Sequence, residues 1–241
     1  MTSNPVTPID VVGGRRWVVK GNYIHDAAKG LGNKISYQAF LKGNSRDGIF
    51  ESNLVCCSCL HSGNDVRVGL SLGGGGSSPN SICEGGTCTP EHQNGILRNN
   101  IILNCNAIGI YINEGANTKI LYNVLYNTAG IDMRFPSTTG IIGNNIYNGN
   151  IRDRDGSTHT AFKNVQMSLT QMNALFNDPG SNDFSLKPGA DTSAILNIAD
   201  PRSEAKTDWC GKKRRRRADI GAIEYSNTNP CKNTNKIPWV R

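Results

Sequence analysis

Apolar and polar residues alternate in short runs along the first two-thirds of the chain. The runs are broken by Gly, Asn, Ser and Thr, and no helical period survives across them. That is the pattern of short half-buried strands joined by tight turns. Five runs share one form: apolar residues, an asparagine, then apolar residues again. They are Trp17 to Ile24, Gly48 to Val55, Gly95 to Ile102, Lys119 to Tyr126 and Gly140 to Tyr147. The shared residues are Asn22, Asn53, Asn100, Asn123 and Asn145, spaced 31, 47, 23 and 22 residues apart. The last two spacings give the base period, and the first two are that period with inserted loops. A fixed period built only of strands and turns predicts a solenoid, here an all-β parallel β-helix with one coil per period.

Stacked coils place like residues above one another at ~4.8 Å. Asparagine amides in such a column hydrogen-bond up and down. The five asparagines are therefore expected to be buried, satisfied by one another, and set at a corner where the chain turns. The composition agrees, with 29 Asn and 27 Gly among 241 residues. Residues 1–150 are read as the β-helix, about five coils. Residues 151–241 are read as an irregular C-terminal cap and flank that closes the end of the solenoid. One short amphipathic helix is expected there, with apolar Leu169, Met172, Leu175 and Phe176 and with Ser168 as its cap. No apolar run is long enough to span a membrane. The opening residues lack the basic and apolar regions of a signal peptide. Ile9 to Gly14 already reads as a coil strand with no lid before it. The natural protein is thus expected to carry further coils and a secretion signal upstream, and this chain to self-associate through an open N-terminal end.

Charge changes the picture little. The formal balance is +7, and Lys212 to Arg217 supplies six of those positives in one uninterrupted run. The run reads as an exposed loop, with contact to a polyanion, acidic polysaccharide or nucleic acid, as the alternative. Eight cysteines point to an oxidising compartment. Cys83 and Cys88 bracket a short turn and are expected to pair, and Cys210 with Cys231 is a second candidate. Cys105 reads as a buried coil residue. Cys56, Cys57 and Cys59 are either corner cysteines or, with His61, Cys83, Cys88 and His92, part of a zinc site. His25 and His92 read as corner residues rather than catalysts.

The coil pattern, with the tail FNDPGSNDFSLKPGA followed by ADIGAIEY, resembles the right-handed parallel β-helix proteins of the pectin-lyase-like superfamily, of the bacterial secreted type. The resemblance covers roughly residues 11–225. It implies a secreted or cell-surface protein in bacteria that binds or acts on a polysaccharide, an acidic one if lyase-like. The alternative is a non-catalytic surface or structural β-helix. Neither a nucleic-acid partner nor a membrane span is expected. FLKGNSRDGIFESNLV, residues 40–55, is similar to the stretch around the catalytic lysine of the alginate lyase and chondroitinase B family, and Lys42 falls on the matching position. That family holds calcium with acids five and seven residues before the lysine, where this chain has Tyr37 and Ile35. Its arginine on the next coil would fall near Ser71, Leu72 and Gly73. No cofactor is therefore firmly implied, and calcium stays open as the alternative although the family's calcium acids are absent.

Elimination across a uronate requires a group to neutralise the carboxylate, a base and an acid. If Ala39 and Leu41 point inward, Lys42 points out. The outward positions on the second strand of each coil then gather Lys42, Ser71, Tyr111, Asn113, Asp132 and Arg134 on one face, with Glu114 beside them. Lys42 or Tyr111 is the candidate base and Arg134 the candidate carboxylate partner. Ser71, Asn113, Glu114 and Asp132 are candidate sugar-binding residues. The plainer alternative is a solvated face on which Asp132 pairs with Arg134. The run Gly73 to Gly76 lacks the lysine and helix of a phosphate loop and reads as a close backbone turn beside the Cys83–Cys88 loop.

Overall fold

The computed structural model describes residues 7–28, 35–61 and 65–225. Three parallel six-stranded sheets, each taking one strand from every coil, form the walls of a β-helix. Sheet I contains Ile9–Val12, Ile35–Lys42, Val66–Leu72, Ile108–Asn113, Gly130–Arg134 and Asn150–Arg154. Sheet II contains Val18–Lys20, Ile49–Glu51, Ile96–Arg98, Thr118–Leu121, Thr139–Gly143 and Thr158–Phe162. Sheet III contains Tyr23–His25, Leu54–Cys56, Ile101–Cys105, Val124–Thr128, Ile146–Tyr147 and Val165–Gln166. A narrow fourth sheet, Ser45–Arg46, His92–Gln93 and Gly115–Ala116, lines the corner between sheets I and II.

The pairing continues past residue 150, where the asparagine repeat had placed the end of the β-helix. Asn150–Gln166 forms a sixth coil whose corner residue is Asn164. Its strands Asn150–Arg154 and Thr158–Phe162 are largely polar and exposed, so the apolar signature is missing there.

The corner between sheets II and III explains the repeat. At each coil a single residue in the left-handed region turns the chain: Gly21, Ser52, Asn99, Tyr122, Asn144 and Lys163, with φ of 67°, 53°, 54°, 57°, 59° and 48°. The next residue is the ladder asparagine. Asn22 Nδ2 donates to Asn53 Oδ1 at 3.0 Å, Asn53 to Asn100 at 2.9 Å, and Asn100 to Asn123 at 3.0 Å. Asn123 then donates to Asn145 at 3.0 Å and Asn145 to Asn164 at 2.8 Å. The second amide hydrogen goes back to a sheet II carbonyl: Asn53 to Val19, Asn100 to Phe50, Asn123 to Leu97, Asn145 to Ile120. Each Oδ1 also accepts the backbone N–H of the preceding ladder asparagine. Both amide hydrogens and both oxygen lone pairs of a central asparagine are thus used, which is why a wholly buried amide is tolerated there. For Ser52, Tyr122 and Lys163 the left-handed conformation costs ~1–2 kcal/mol each, offset by the ladder bonds that follow.

Inside the walls, Val55, Leu97, Ile102, Ile110, Ile120, Leu125, Ile131 and Met133 are fully buried in one apolar core. Sheet III is apolar on its outer face too: Leu54, Cys56, Ile101, Leu103, Val124 and Ile146 form a second core with the C-terminal segment. The helix α1, Leu169–Leu175, carries the expected Ser168 cap, completed by Gln171 in a capping box. It contributes Met172 and Leu175 to that second core. The segment also supplies Phe176, Phe184, Ile195, Ala199, Ala218 and Ile220. The described part of the C-terminal region therefore runs along the flank over sheet III. The left-handed corner residues latch it. Asn99 Nδ2 donates to the Thr207 carbonyl at 2.7 Å, Tyr122 Oη to the Asp200 carbonyl at 2.7 Å, and Asn144 Nδ2 to the same carbonyl at 2.8 Å.

Cys83 and Cys88 pair as expected. Cys105 is buried, but it is bonded to Cys57, which lies directly across the coil stack, and Cys56 is bonded to Cys59. These thiols are consumed in disulfides, so the zinc alternative loses its cysteine ligands. Cys210 is disulfide-bonded, and Cys231 lies outside the described residues. His92 sits fully buried in the narrow corner sheet. No helix among the described residues is long and apolar enough to cross a membrane.

Candidate functional site

Alternation on sheet I sends Ala39, Leu41, Leu70, Leu72, Ile110, Ile112, Ile131 and Met133 inward. Their neighbours point out in two columns that follow the strand register. One column is Asp10, Phe40, Ser71, Tyr111, Asp132 and Arg152. The other is Val12, Lys42, Asn113, Arg134 and Arg154, with Gly73 between Lys42 and Asn113. The seven candidate residues do share this side of the molecule, but they do not form one constellation.

Tyr111 and Arg134 are brought together: Arg134 Nη1 donates to Tyr111 Oη at 3.4 Å, and Arg134 Nε to Asp155 at 2.5 Å. These two contacts hold the Arg134 guanidinium more firmly charged than usual. Lys42 stands three strands from Arg134, ~14 Å at the ordinary strand spacing, with its Nζ 4.6 Å from the centre of the Phe40 ring. One sugar unit cannot engage both at its reacting carbon. Asp132 is wholly buried and accepts from Arg152 Nε at 2.6 Å and Arg154 Nη1 at 2.7 Å. The expected Asp132–Arg134 pair is absent, because residues two apart on a strand stand in different columns and the next strand supplies closer cations. Ser71 is also wholly buried, its single hydroxyl hydrogen within reach of the Tyr111 carbonyl, 2.8 Å from Oγ, and of the Gly73 carbonyl. Ser71 and Asp132 therefore position neighbours.

An aromatic group lies at the centre of the face. Tyr37 packs edge-on against Phe40 with ring centres 5.1 Å apart and is stacked 6.5 Å from Tyr111. Val68 and Ile108 complete this small external cluster. Burial pushes the Tyr37 hydroxyl up to about 12, with the neighbouring Tyr111 adding to the shift.

The insertion after Leu72 rises beside the face. Gly74 and Gly75 lie so close that a Cβ would meet Lys42 Cδ at 3.1 Å and Asn113 Nδ2 at 2.8 Å respectively. The glycine run thus packs over the outward side chains themselves. Buried Glu91 fastens the loop, accepting from Gly43 N at 2.9 Å, Ser77 N at 2.9 Å and Ser77 Oγ at 2.7 Å. Asn44 Nδ2 donates to the Glu84 carbonyl at 2.9 Å, and Arg15 pairs with Glu84 at 2.8 Å. Glu114 borders the loop, and burial, reinforced by Glu91, raises its carboxyl above the usual range. Asn113 Oδ1 is buried there without a hydrogen-bond partner.

The sequence pattern did not single out Tyr37, Phe40, Glu91, Arg152 or Arg154. Arg152 and Arg154 alternate around Asp153 in a strand with one apolar residue, Ile151, so only the coil spacing from Asp132 pointed to them. Tyr37 and Ile35 occupy the positions where the resembled family holds calcium, and neither bears a carboxylate. Among the described residues no group of three His, Cys, Asp or Glu side chains is placed to hold a metal. The fold and this face define a disulfide-bonded parallel β-helix with a mixed aromatic and cationic outer wall. No family model, curated protein or solved structure matches the chain.

Proposed function

We propose that this is an extracellular β-helix protein, of the pectin-lyase-like type, that binds an acidic polysaccharide along the outer face of sheet I. One observation carries the reading. Two arginines, Arg152 and Arg154, share the single buried carboxylate of Asp132, leaving a positive excess one strand from Arg134. Lys42, over the Phe40 ring, offers a second cation further along the same wall. A cationic cluster on two adjacent strands and a further cation ~14 Å along the wall, with Tyr111 and Tyr37 between, suit a chain of carboxylated sugars running across the coils. The disulfides support an oxidising, extracellular setting.

The test is calorimetric titration with pectate, alginate and chondroitin sulfate against neutral dextran. Acidic chains should bind, more weakly as salt rises, and dextran should not. The double variant Arg152→Ala/Arg154→Ala should lose roughly fivefold or more in affinity. Equal binding of dextran, or undiminished binding by that variant, would refute the proposal. A second reading, elimination with Tyr111 as base and Arg134 as carboxylate partner, is favoured only by their 3.4 Å contact. It requires unsaturated uronate to accumulate in the same mixtures and to cease in Tyr111→Phe.

A further inference from the structure

Lys213, Arg215, Arg216 and Arg217 of the basic run are exposed, as its charge suggests, and Arg214 is the exception. Arg214 is turned inward, with 4% of its side chain exposed. Its guanidinium lies 3.9 Å from the Tyr122 ring centre. It pairs with Glu224 at 3.2 Å and donates to Asn99 Oδ1 at 2.8 Å and the Gly221 carbonyl at 2.9 Å. Burying Arg214 folds residues 201–206 and 213–218 around a recess of about 260 Å³ on the outside of the sheet II–III corner. Tyr122, Pro201, Ala205 and Ala218 give it an apolar floor and walls. Five cationic side chains line it: Arg202, Lys206, Lys213, Arg214 and Arg215.

The anions nearby do not balance these cations. Glu224 is taken by Arg214. Glu204 is held by Lys119 at 2.8 Å, which keeps its carboxyl down at about 2, and reaches Arg202 only at 3.9 Å. No ion pair joins Lys206, Lys213 or Arg215 to an acid among the described residues. Two donors on these arginines, Arg202 Nε and Arg214 Nε, are buried without a hydrogen-bond partner, and the Arg202 guanidinium lies 5.0 Å from the Phe162 ring centre. The unpaired cations around the recess leave it with a net positive charge that a bound anion would offset.

We infer that this recess is a binding site for a tetrahedral oxyanion group, a sulfate or phosphate ester. Arginine N–H pairs match such oxygens bidentately, and lysines add charge without demanding geometry. The apolar walls take the sugar or other carbon skeleton that bears the ester. The site lies on a different wall from the sheet I face and does not depend on the reading given for that face.

Inorganic sulfate, inorganic phosphate, a sulfated disaccharide and its unsulfated parent are titrated into the full chain. Arginine Nε–H resonances and heat are the readouts. Sulfate or phosphate should shift the Arg202 and Arg214 signals, and the sulfated disaccharide should bind at least tenfold more tightly than its parent. Stronger response to the free ions than to the disaccharide would assign the site to inorganic oxyanion and overturn the ester reading. Lys206→Ala/Lys213→Ala should lose at least tenfold in affinity. Arg216→Ala/Arg217→Ala removes the same charge from exposed residues outside the recess lining and should bind as the parent does. Equal loss in both double variants, or no shift at Arg202 and Arg214, would overturn the proposal. All four substituted side chains are exposed, and unchanged circular dichroism confirms that each variant is folded.

Discussion

Replacing Asn123 with leucine tests how the coils are joined. The ladder is directional, since every amide donates towards the C-terminal coil and accepts from the N-terminal one. Asn123 Oδ1 accepts the backbone N–H of Asn100 at 2.9 Å and its amide N–H at 3.0 Å. Asn123→Leu therefore orphans two buried donors in the preceding coil, at ~1–3 kcal/mol each. Asn145 Oδ1 loses one donor and keeps the backbone N–H of residue 123 at 2.8 Å. Added apolar contact from leucine offsets part of the loss, so the net cost is about 2–4 kcal/mol. Asn22 is exposed on the first described coil, where no ladder donor among the described residues points to it, and Asn22→Leu should cost less than ~1 kcal/mol. The double variant Asn100→Leu/Asn123→Leu should cost less than the two singles added together, because Asn100→Leu removes one of the donors that Asn123→Leu orphans. Urea unfolding followed by far-ultraviolet circular dichroism gives all four values. Equal costs at Asn22 and Asn123, or strict additivity in the double variant, would refute the directional ladder.

Other consequences can be measured on the same protein. Removing the Cys57–Cys105 bond, which closes a separation of 48 residues, should cost ~4 kcal/mol, against ~2 kcal/mol for Cys83–Cys88 with a separation of 5; equal shifts in the urea midpoint would contradict the loop argument. Burial holds the His92 imidazole down at about 4, opposed weakly by Asp47, below an unfolded value near ~6.5. His92 thus contributes stability above pH ~6.5 that is lost as pH falls towards 4, and His92→Leu should flatten that part of the stability–pH curve; an unaltered curve would show that His92 binds protons equally in the folded and unfolded states. Ser168→Ala removes the α1 cap and should cost ~1 kcal/mol, measured as a fall in melting temperature.

The coil stack was legible because Asn53, Asn100, Asn123 and Asn145 each need a partner one coil away, and burial forces that need into a period. The flank packing was legible in principle. Leu54-Val55-Cys56 and Ile101-Ile102-Leu103 are unbroken apolar runs, the mark of a sheet covered on both faces. Read only as coil strands, they left the second face unassigned, and the C-terminal segment was placed over the end. The candidate face was recovered as a face because side chains alternate. Its internal grouping was not, because neither the column of each residue nor the Glu91 anchor of the glycine loop follows from local sequence. Arg214 shows the limit most plainly. Within six consecutive cations, nothing local marks which one is buried against Tyr122 and Glu224.

The proposed binding wall is tested most directly by the arginine Nε–H spectrum of the chain titrated with polygalacturonate. The Arg134, Arg152 and Arg154 signals should move together and saturate, while Arg98, paired with Glu51 on sheet II, stays fixed. Stationary signals from the three sheet I arginines at saturating polymer, or an equal displacement of Arg98, would contradict the account.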